Sequence, residues 1–156
     1  MRVWRLVSNR WAATAFTGIG SAMNPGRWNQ AGQAVVYTSE HLSLAFLEIL
    51  ANAELSMLES FSSVFCDLPE GSIETLDAGR LPEGWRTLVH PQWTGLQKIG
   101  SEWLASGGSL ALMVPSAVLD GEFNVLINPG HQGFGALHPS RPAPFVPNVR
   151  FAGPKK

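Results

Sequence analysis

The chain predicts an α+β domain, with mixed or antiparallel sheets flanked by helices. Strand-like and helix-like stretches alternate without the regular βαβ period of a doubly wound sheet. The strand candidates are short β-branched or aromatic runs closed by Gly, Pro, Asn or Ser, and each helix candidate has apolar residues at helical spacing. No internal repeat interrupts the chain, so 1–156 reads as one compact domain whose residues 139–156 form a proline-rich tail.

Taken in order, Val3 to Val7 alternates weakly and reads as a first strand. Ser8 to Asn24 is small, polar and Gly-containing, mostly loop, with a short helix near Asn9 to Ala15. Val35 to Thr38 is a strand closed by Ser39, whose hydroxyl is placed to cap a helix from about Glu40 to Ala53. That helix, L-S-L-A-F-L-E-I-L-A, carries Leu42, Ala45, Phe46 and Ile49 on one stripe and Leu44 and Leu47 on another, so it should be buried nearly all round. Met57 to Cys66 suits a strand, and the segments around Pro69-Glu70-Gly71 and Leu81 to Trp85 read as connectors. Thr94 to Leu104 has helical spacing through Leu96, Ile99, Trp103 and Leu104, ended by Ser106-Gly107-Gly108. Leu110 to Val114 is a buried strand with Pro115-Ser116 as its exit, and Glu122 to Pro129 is a further strand and turn.

Composition removes several function classes. Hydrophobic residues at 45% with 15% charged mark an ordered globular chain. With 11 Lys plus Arg against 12 Asp plus Glu, no chain-wide basic field exists to hold nucleic acid. The low charged share leans toward a surface partly covered by a partner. Cys66 is the only cysteine, so a disulfide within the chain and a cysteine-based zinc cluster are both excluded. A cytoplasmic home is expected, since the N-terminal stretch lacks a signal-peptide core and no apolar run approaches the roughly 20 residues of a membrane span.

Familiar motifs are missing too. Gly18-Ile19-Gly20 lacks the third glycine of a dinucleotide fingerprint, and no Walker-type loop is present. His41, His90, His131 and His138 never fall at a helical metal spacing, so no metal is expected. Ser116 follows a proline instead of sitting in a nucleophile elbow.

What remains informative is Asn24 to Glu48. A turn-rich loop, N-P-G-R-W-N-Q-A-G, presents Arg27, and an apolar helix carries a single acid, Glu48. An isolated buried carboxylate in such a helix either shifts its pKa upward or finds a cation and hydrogen-bond donors, the alternative being a glutamate at the helix end that pairs with a surface arginine. An arginine in a Pro/Gly-framed loop offers a planar donor fork suited to phosphate.

These stretches together resemble a family. The x-W-R-L-V start, P-G-R-W-N-x-x-G-x-x-V-V-Y-T, L-A-x-L-E-I-L and V-P-S-A-V-L-x-x-E-x-N-V-L-I-N-P-x-H look like the RES domain family, named for an Arg, a Glu and a Ser that here are Arg27, Glu48 and Ser116. The resemblance covers most of the chain. It implies a fold similar to ADP-ribosyltransferases, the toxin half of a bacterial toxin–antitoxin pair, consumption of NAD as substrate with no cofactor, and a cognate Xre-type helix-turn-helix antitoxin forming a hetero-oligomer and carrying any DNA binding. One departure is Gly100-Ser101-Glu102-Trp103, where the family often has G-D-x-W.

The residue types agree with that implication. NAD presents an anionic pyrophosphate, two riboses and a cationic nicotinamide. Arg27 suits the phosphates, and Glu48 suits the ribose hydroxyls and the positive charge that develops as nicotinamide leaves. Ser116 is a candidate for positioning the carboxamide or a ribose oxygen, and Tyr37 for stacking on the ring or bonding through its hydroxyl, an ordinary core aromatic being the alternative. Arg5 matches the family's early arginine, with an exposed salt bridge as the competing explanation. Asn124 and Asn128 are candidate amide donors, against turn-forming roles. The acceptor stays open: water gives hydrolysis, phosphate gives phosphorolysis, and a protein side chain gives ADP-ribosylation. A non-catalytic module in which Arg27 and Glu48 pair in the core is the remaining alternative.

Overall fold

The computed structural model of the chain describes residues 1–52, 61–148 and 151. Ten regular elements lie in these residues: β1 (Arg2–Ser8), α1 (Ile19–Met23), β2 (Val36–Ser39), α2 (Leu42–Asn52), β3 (Phe61–Asp67), β4 (Ile73–Thr75), α3 (Thr94–Ser106), β5 (Ala111–Pro115), β6 (Phe123–Ile127) and β7 (Ala143–Phe145). The strands form one mixed sheet in the order β4-β5-β6-β2-β1-β3-β7. Only β4 and β5 run parallel; every other neighbouring pair is antiparallel.

Both faces of the sheet are buried, which explains why its central strands read as near-continuous apolar runs. On one face Val3, Val7, Val36, Val64, Val125 and Ile127 pack with Phe16 from the turn after β1. On the other, Val35, Leu112, Val114 and Leu126 meet Leu96, Ile99 and Trp103 of α3, while Leu6 meets Ala45 and Phe46 of α2. The period-2 alternation is visible within β6, where Val125 and Ile127 serve one core and Leu126 the other.

One junction of the sheet matters for function. β1 pairs with β3 along its whole length, from Arg2↔Asp67 to Ser8↔Phe61, but with β2 only at Trp4↔Ser39. Beyond Trp4 the two strands share no further ladder pair, and the Arg5 Nη1 bridges them by donating to the Tyr37 carbonyl at 2.7 Å.

Several expectations are corrected. Helix α2 begins at Leu42, and the Ser39 hydroxyl does not cap it but donates to the Asn124 side chain at 2.6 Å. The helix is not buried all round: Leu44, Ala45 and Phe46 are buried, whereas Leu47, Glu48, Ile49 and Leu50 are half-exposed, and Glu48 and Ile49 border open cavities. Part of the strand expected from Met57 lies outside the described residues, and β3 starts at Phe61. Helix α1 lies within a stretch read as loop. The proline-rich tail contributes β7, where Pro144 is accommodated because an edge strand leaves one side of its backbone unpaired.

Candidate active site

The Arg27 loop is built around a residue to which sequence reasoning assigned no role. Asn29 is fully buried. Its Oδ1 accepts from the Gly26 N–H at 2.8 Å and from the Tyr37 hydroxyl at 2.7 Å. Its Nδ2 donates to the carbonyls of Ser21, Gln30 and Gln33. One amide thus satisfies both ends of a tight loop that has no ladder of its own. The Tyr37 hydroxyl, besides donating to Asn29, accepts from the Trp28 N–H at 3.1 Å. Tyr37 accordingly spends its polar end on shaping the loop, and burial pushes its phenol well above the ordinary tyrosine range.

Two glycines make this packing feasible. A Cβ on Gly26 would stand 2.7 Å from the Tyr37 hydroxyl oxygen, and one on Gly100 of α3 would stand 1.8 Å from the Trp28 carbonyl oxygen. Helix α3 also holds the loop through Gln97, whose Nε2 donates to the Gly26 carbonyl at 3.0 Å.

Arg27 projects from this loop. Its Nη1 donates to the Trp85 carbonyl at 3.0 Å, and its guanidinium lies 5.2 Å from the centre of the Trp93 ring. Burial lowers its pKa, and the nearby charge of Glu48 works in the opposite direction. Trp93 is fixed in turn by its indole N–H on the Leu88 carbonyl. The segment from Trp85 to Trp93, which begins where the Leu81 to Trp85 connector ends and which the sequence left without a role, is therefore one wall of the site. A bare Trp/Arg/Trp content in an irregular stretch was its only signal.

Arg5 is half-buried and is not part of an exposed salt bridge. Its Nε has no hydrogen-bond partner, and burial lowers its pKa. Among the described residues neither Arg5 nor Arg27 has a carboxylate at ion-pair distance; those pairs are Arg2–Asp67, His41–Glu122, Arg80–Glu102 and Arg86–Asp120. The alternative in which Arg27 and Glu48 pair in the core is not what the fold builds.

Glu48 gains its donors from the opposite wall. Ser116, 1% exposed, donates to Oε1 at 2.8 Å, and the Asn124 Nδ2 donates to the same oxygen. The Ser39 hydroxyl, bonded to the Asn124 Oδ1, orients that amide so that its NH₂ faces the acid. Ser116 also accepts from the N–H groups of Val118 and Leu119, which locks the turn after β5. With both donors on Oε1, Oε2 takes no side-chain hydrogen bond among the described residues. Ser116 and Asn124 thus act on Glu48, and the Ser116 hydroxyl sits behind the acid instead of facing the cavity.

Arg5, Arg27, Tyr37, Glu48 and Asn124 all line one cavity of about 750 Å³. A neighbouring cavity of about 470 Å³ shares Arg5, Tyr37, Glu48 and Asn124 with it. Asn128 does not join them. It sits past the far end of β6, roughly 13 Å along the strand from Asn124, where its Oδ1 accepts from the Gly130 N–H and its Nδ2 reaches the Leu104 carbonyl. Among the described residues one group has metal-like proximity, Glu40, His41 and Glu122, away from this cavity's lining.

Arg5 at the sheet junction and Arg27 on its loop thus place two guanidiniums without carboxylate partners in the same cavity as one doubly supported acid, within an α+β domain. The chain belongs to the RES domain family, whose profile matches residues 2–150. It is 37% identical over 135 residues to Toxin Res of Yersinia enterocolitica, covering 86% of this chain and 88% of that one. It is 32% identical over 134 residues to the Prs ADP-ribosylating toxin of a Sphingobium species, covering 82% of each. In three dimensions it is similar to a chain of the M. tuberculosis MbcT–MbcA toxin–antitoxin complex, with a TM-score of 0.68 over 91% of this chain and 82% of that one at 17% identity, a likeness of fold. The protein is a RES-domain toxin by family, and its α+β class is the one its sequence predicts. No helix among the described residues is long and apolar enough to cross a membrane.

Proposed function

We propose that this toxin, restrained by a cognate antitoxin, consumes NAD by breaking the bond between nicotinamide and ribose. The observation that carries the reading is the opposition of Arg5 and Arg27, cations with no acidic partner, to Glu48, whose Oε1 is held by Ser116 and Asn124 while Oε2 is left for a ligand. A dinucleotide carries this same polarity, anionic at its pyrophosphate and increasingly cationic at the ribose carbon as the bond breaks.

In this reading Arg27 binds pyrophosphate oxygens with the donors its Trp85 bond leaves over. Arg5, its Nε unpaired and buried, adds a second cation to the same cavity. The C1′–N bond breaks with both electrons leaving on nicotinamide, which departs neutral. Glu48 Oε2 meets the ribose hydroxyls and stabilises the oxocarbenium-like charge left behind. A nucleophile then bonds to C1′; when it is water, a proton is released and ADP-ribose is the product. Ser116, Asn124 and Ser39 hold the acid in place, and Asn29 and Tyr37 hold the arginine loop.

Purified protein incubated with NAD should release nicotinamide, and Glu48→Gln should reduce the release by at least about a hundredfold, the usual order for losing a preorganised electrostatic group. No release from wild type in water, in phosphate or with bacterial protein present would sink the reading. Transfer to a protein is the second reading, favoured by the resemblance to a toxin named as ADP-ribosylating; mass added to a target protein identifies it. Exposed Met23, Val89 and Leu119 on segments at the cavity mouth are consistent with a partner covering the site. Coexpression with an adjacent helix-turn-helix protein should suppress nicotinamide release if that protein is the antitoxin.

A further inference from the structure

We infer that Arg86 is a third anion-binding residue of this cavity, held at rest by Asp120 and exchanged onto a diphosphate when the ligand enters. The inference rests on the NAD reading for its ligand, though the exchange itself requires only a diphosphate. Arg86 lies in the helical turn Trp85–Thr87, directly after the residue whose carbonyl holds Arg27, and its side chain lines the same cavity. Its Nη1 bonds Asp120 on the turn that follows Ser116. This one ion pair therefore ties the arginine wall of the cavity to the wall that supports Glu48.

The pair is built to exchange. The Asp120 side chain is 93% exposed and that of Arg86 33%. Water competes for the carboxylate on nearly every side, and an ion pair so exposed is weak. A guanidinium facing a cavity gains more from a diphosphate, which offers several oxygens and more than one charge, than from a single hydrated carboxylate. Arg5 and Arg27 differ from it: the first is held by the Tyr37 carbonyl, the second is braced by Trp85 and Trp93. They are fixed parts of the cavity, and Arg86 is its movable cation. Asp120 then acts as an internal competitor that sets how much diphosphate is needed to fill the site.

The signature is a pair of opposite shifts from two variants that break the same ion pair. Arg86→Ala should raise the KM for NAD about tenfold with kcat within about twofold of wild type, and Arg86→Lys should recover part of the loss by keeping the charge without the fork. Asp120→Asn should lower the KM by up to about fivefold, the most that an exposed pair is worth. Inorganic pyrophosphate, titrated by calorimetry into the same proteins, should show the same order of affinities. An unchanged pyrophosphate affinity in Arg86→Ala, or weakened affinity in both Arg86→Ala and Asp120→Asn, overturns the inference, since the latter means the pair serves only to hold the two walls together. If pyrophosphate binding follows the expected order but NAD is not cleaved, the proposed reaction fails and the role of Arg86 stands.

Discussion

Replacing Asn29 tests whether one buried amide organises the Arg27 loop. Asn29→Ala removes the acceptor used by the Gly26 N–H and the Tyr37 hydroxyl, together with the donor used by three carbonyls. A buried donor left without a partner costs about 1–3 kcal/mol. Two stranded donors set a range of about 2–6 kcal/mol, and water entering from the cavity side trims the upper end to about 4 kcal/mol. In a domain of this size that lowers Tm by about 6–12 °C. The loop should loosen as well, so the KM for NAD should rise by at least about tenfold through misplacement of Arg27. Asn29→Asp is the sharper variant. It keeps the shape and one acceptor oxygen but turns an anionic oxygen toward three carbonyls, so it should destabilise at neutral pH at least as much as alanine does. Thermal melts followed by circular dichroism, with steady-state kinetics on the same samples, read both effects. A Tm within about 3 °C of wild type for both variants, with unchanged KM, would refute the role given to Asn29.

Two further perturbations probe the same architecture. The single tyrosine makes its alkaline behaviour easy to isolate. In the unfolded chain its phenol titrates near about 10, and burial raises it in the folded protein, so the folded state keeps a proton that the unfolded state releases. Stability from this group is thus fully present below about pH 10 and falls by about 1.4 kcal/mol per pH unit above it; urea denaturation from pH 9 to 11 should be steeper in pH for wild type than for Tyr37→Phe, and parallel profiles would contradict the burial argument. Gly100→Ala should destabilise by about 3 kcal/mol although alanine is the better helix former by about 1 kcal/mol, because the new methyl collides with the Trp28 backbone. A more stable Gly100→Ala protein in thermal unfolding would mean that α3 does not lie against the loop as described.

The residues that touch the cavity differ in how far local pattern reveals them. Arg27 and Glu48 stand out because each is chemically expensive where it lies, a guanidinium in a Pro/Gly turn and a lone acid in an apolar helix. Such anomalies are local and can be read along the chain. Ser116 was expected on the ligand side, but its hydroxyl turns behind Glu48, since a serine at a strand exit also has two backbone N–H groups to satisfy. Asn128 groups with Asn124 in the sequence, yet four residues of extended chain carry it past the far end of β6. Strand β7 and helix α1 escaped notice because three to five residues are too few to establish a period.

By itself the sequence determined the α+β class and the principal strands and helices, and it singled out Arg27 and Glu48 as polar groups in costly places. Those follow from periodicity and from the cost of isolated polar groups, both properties of short stretches of chain. Only the tertiary structure decided that β1 and β2 meet at a single residue pair, that Asn29 joins three segments, that Trp85 to Trp93 is a wall, and that Ser116 and Asn124, the latter oriented by Ser39, converge on one carboxylate. Most of these join residues far apart along the chain, and even where the partners are near, as around Asn29, periodicity does not record which group a polar side chain will satisfy.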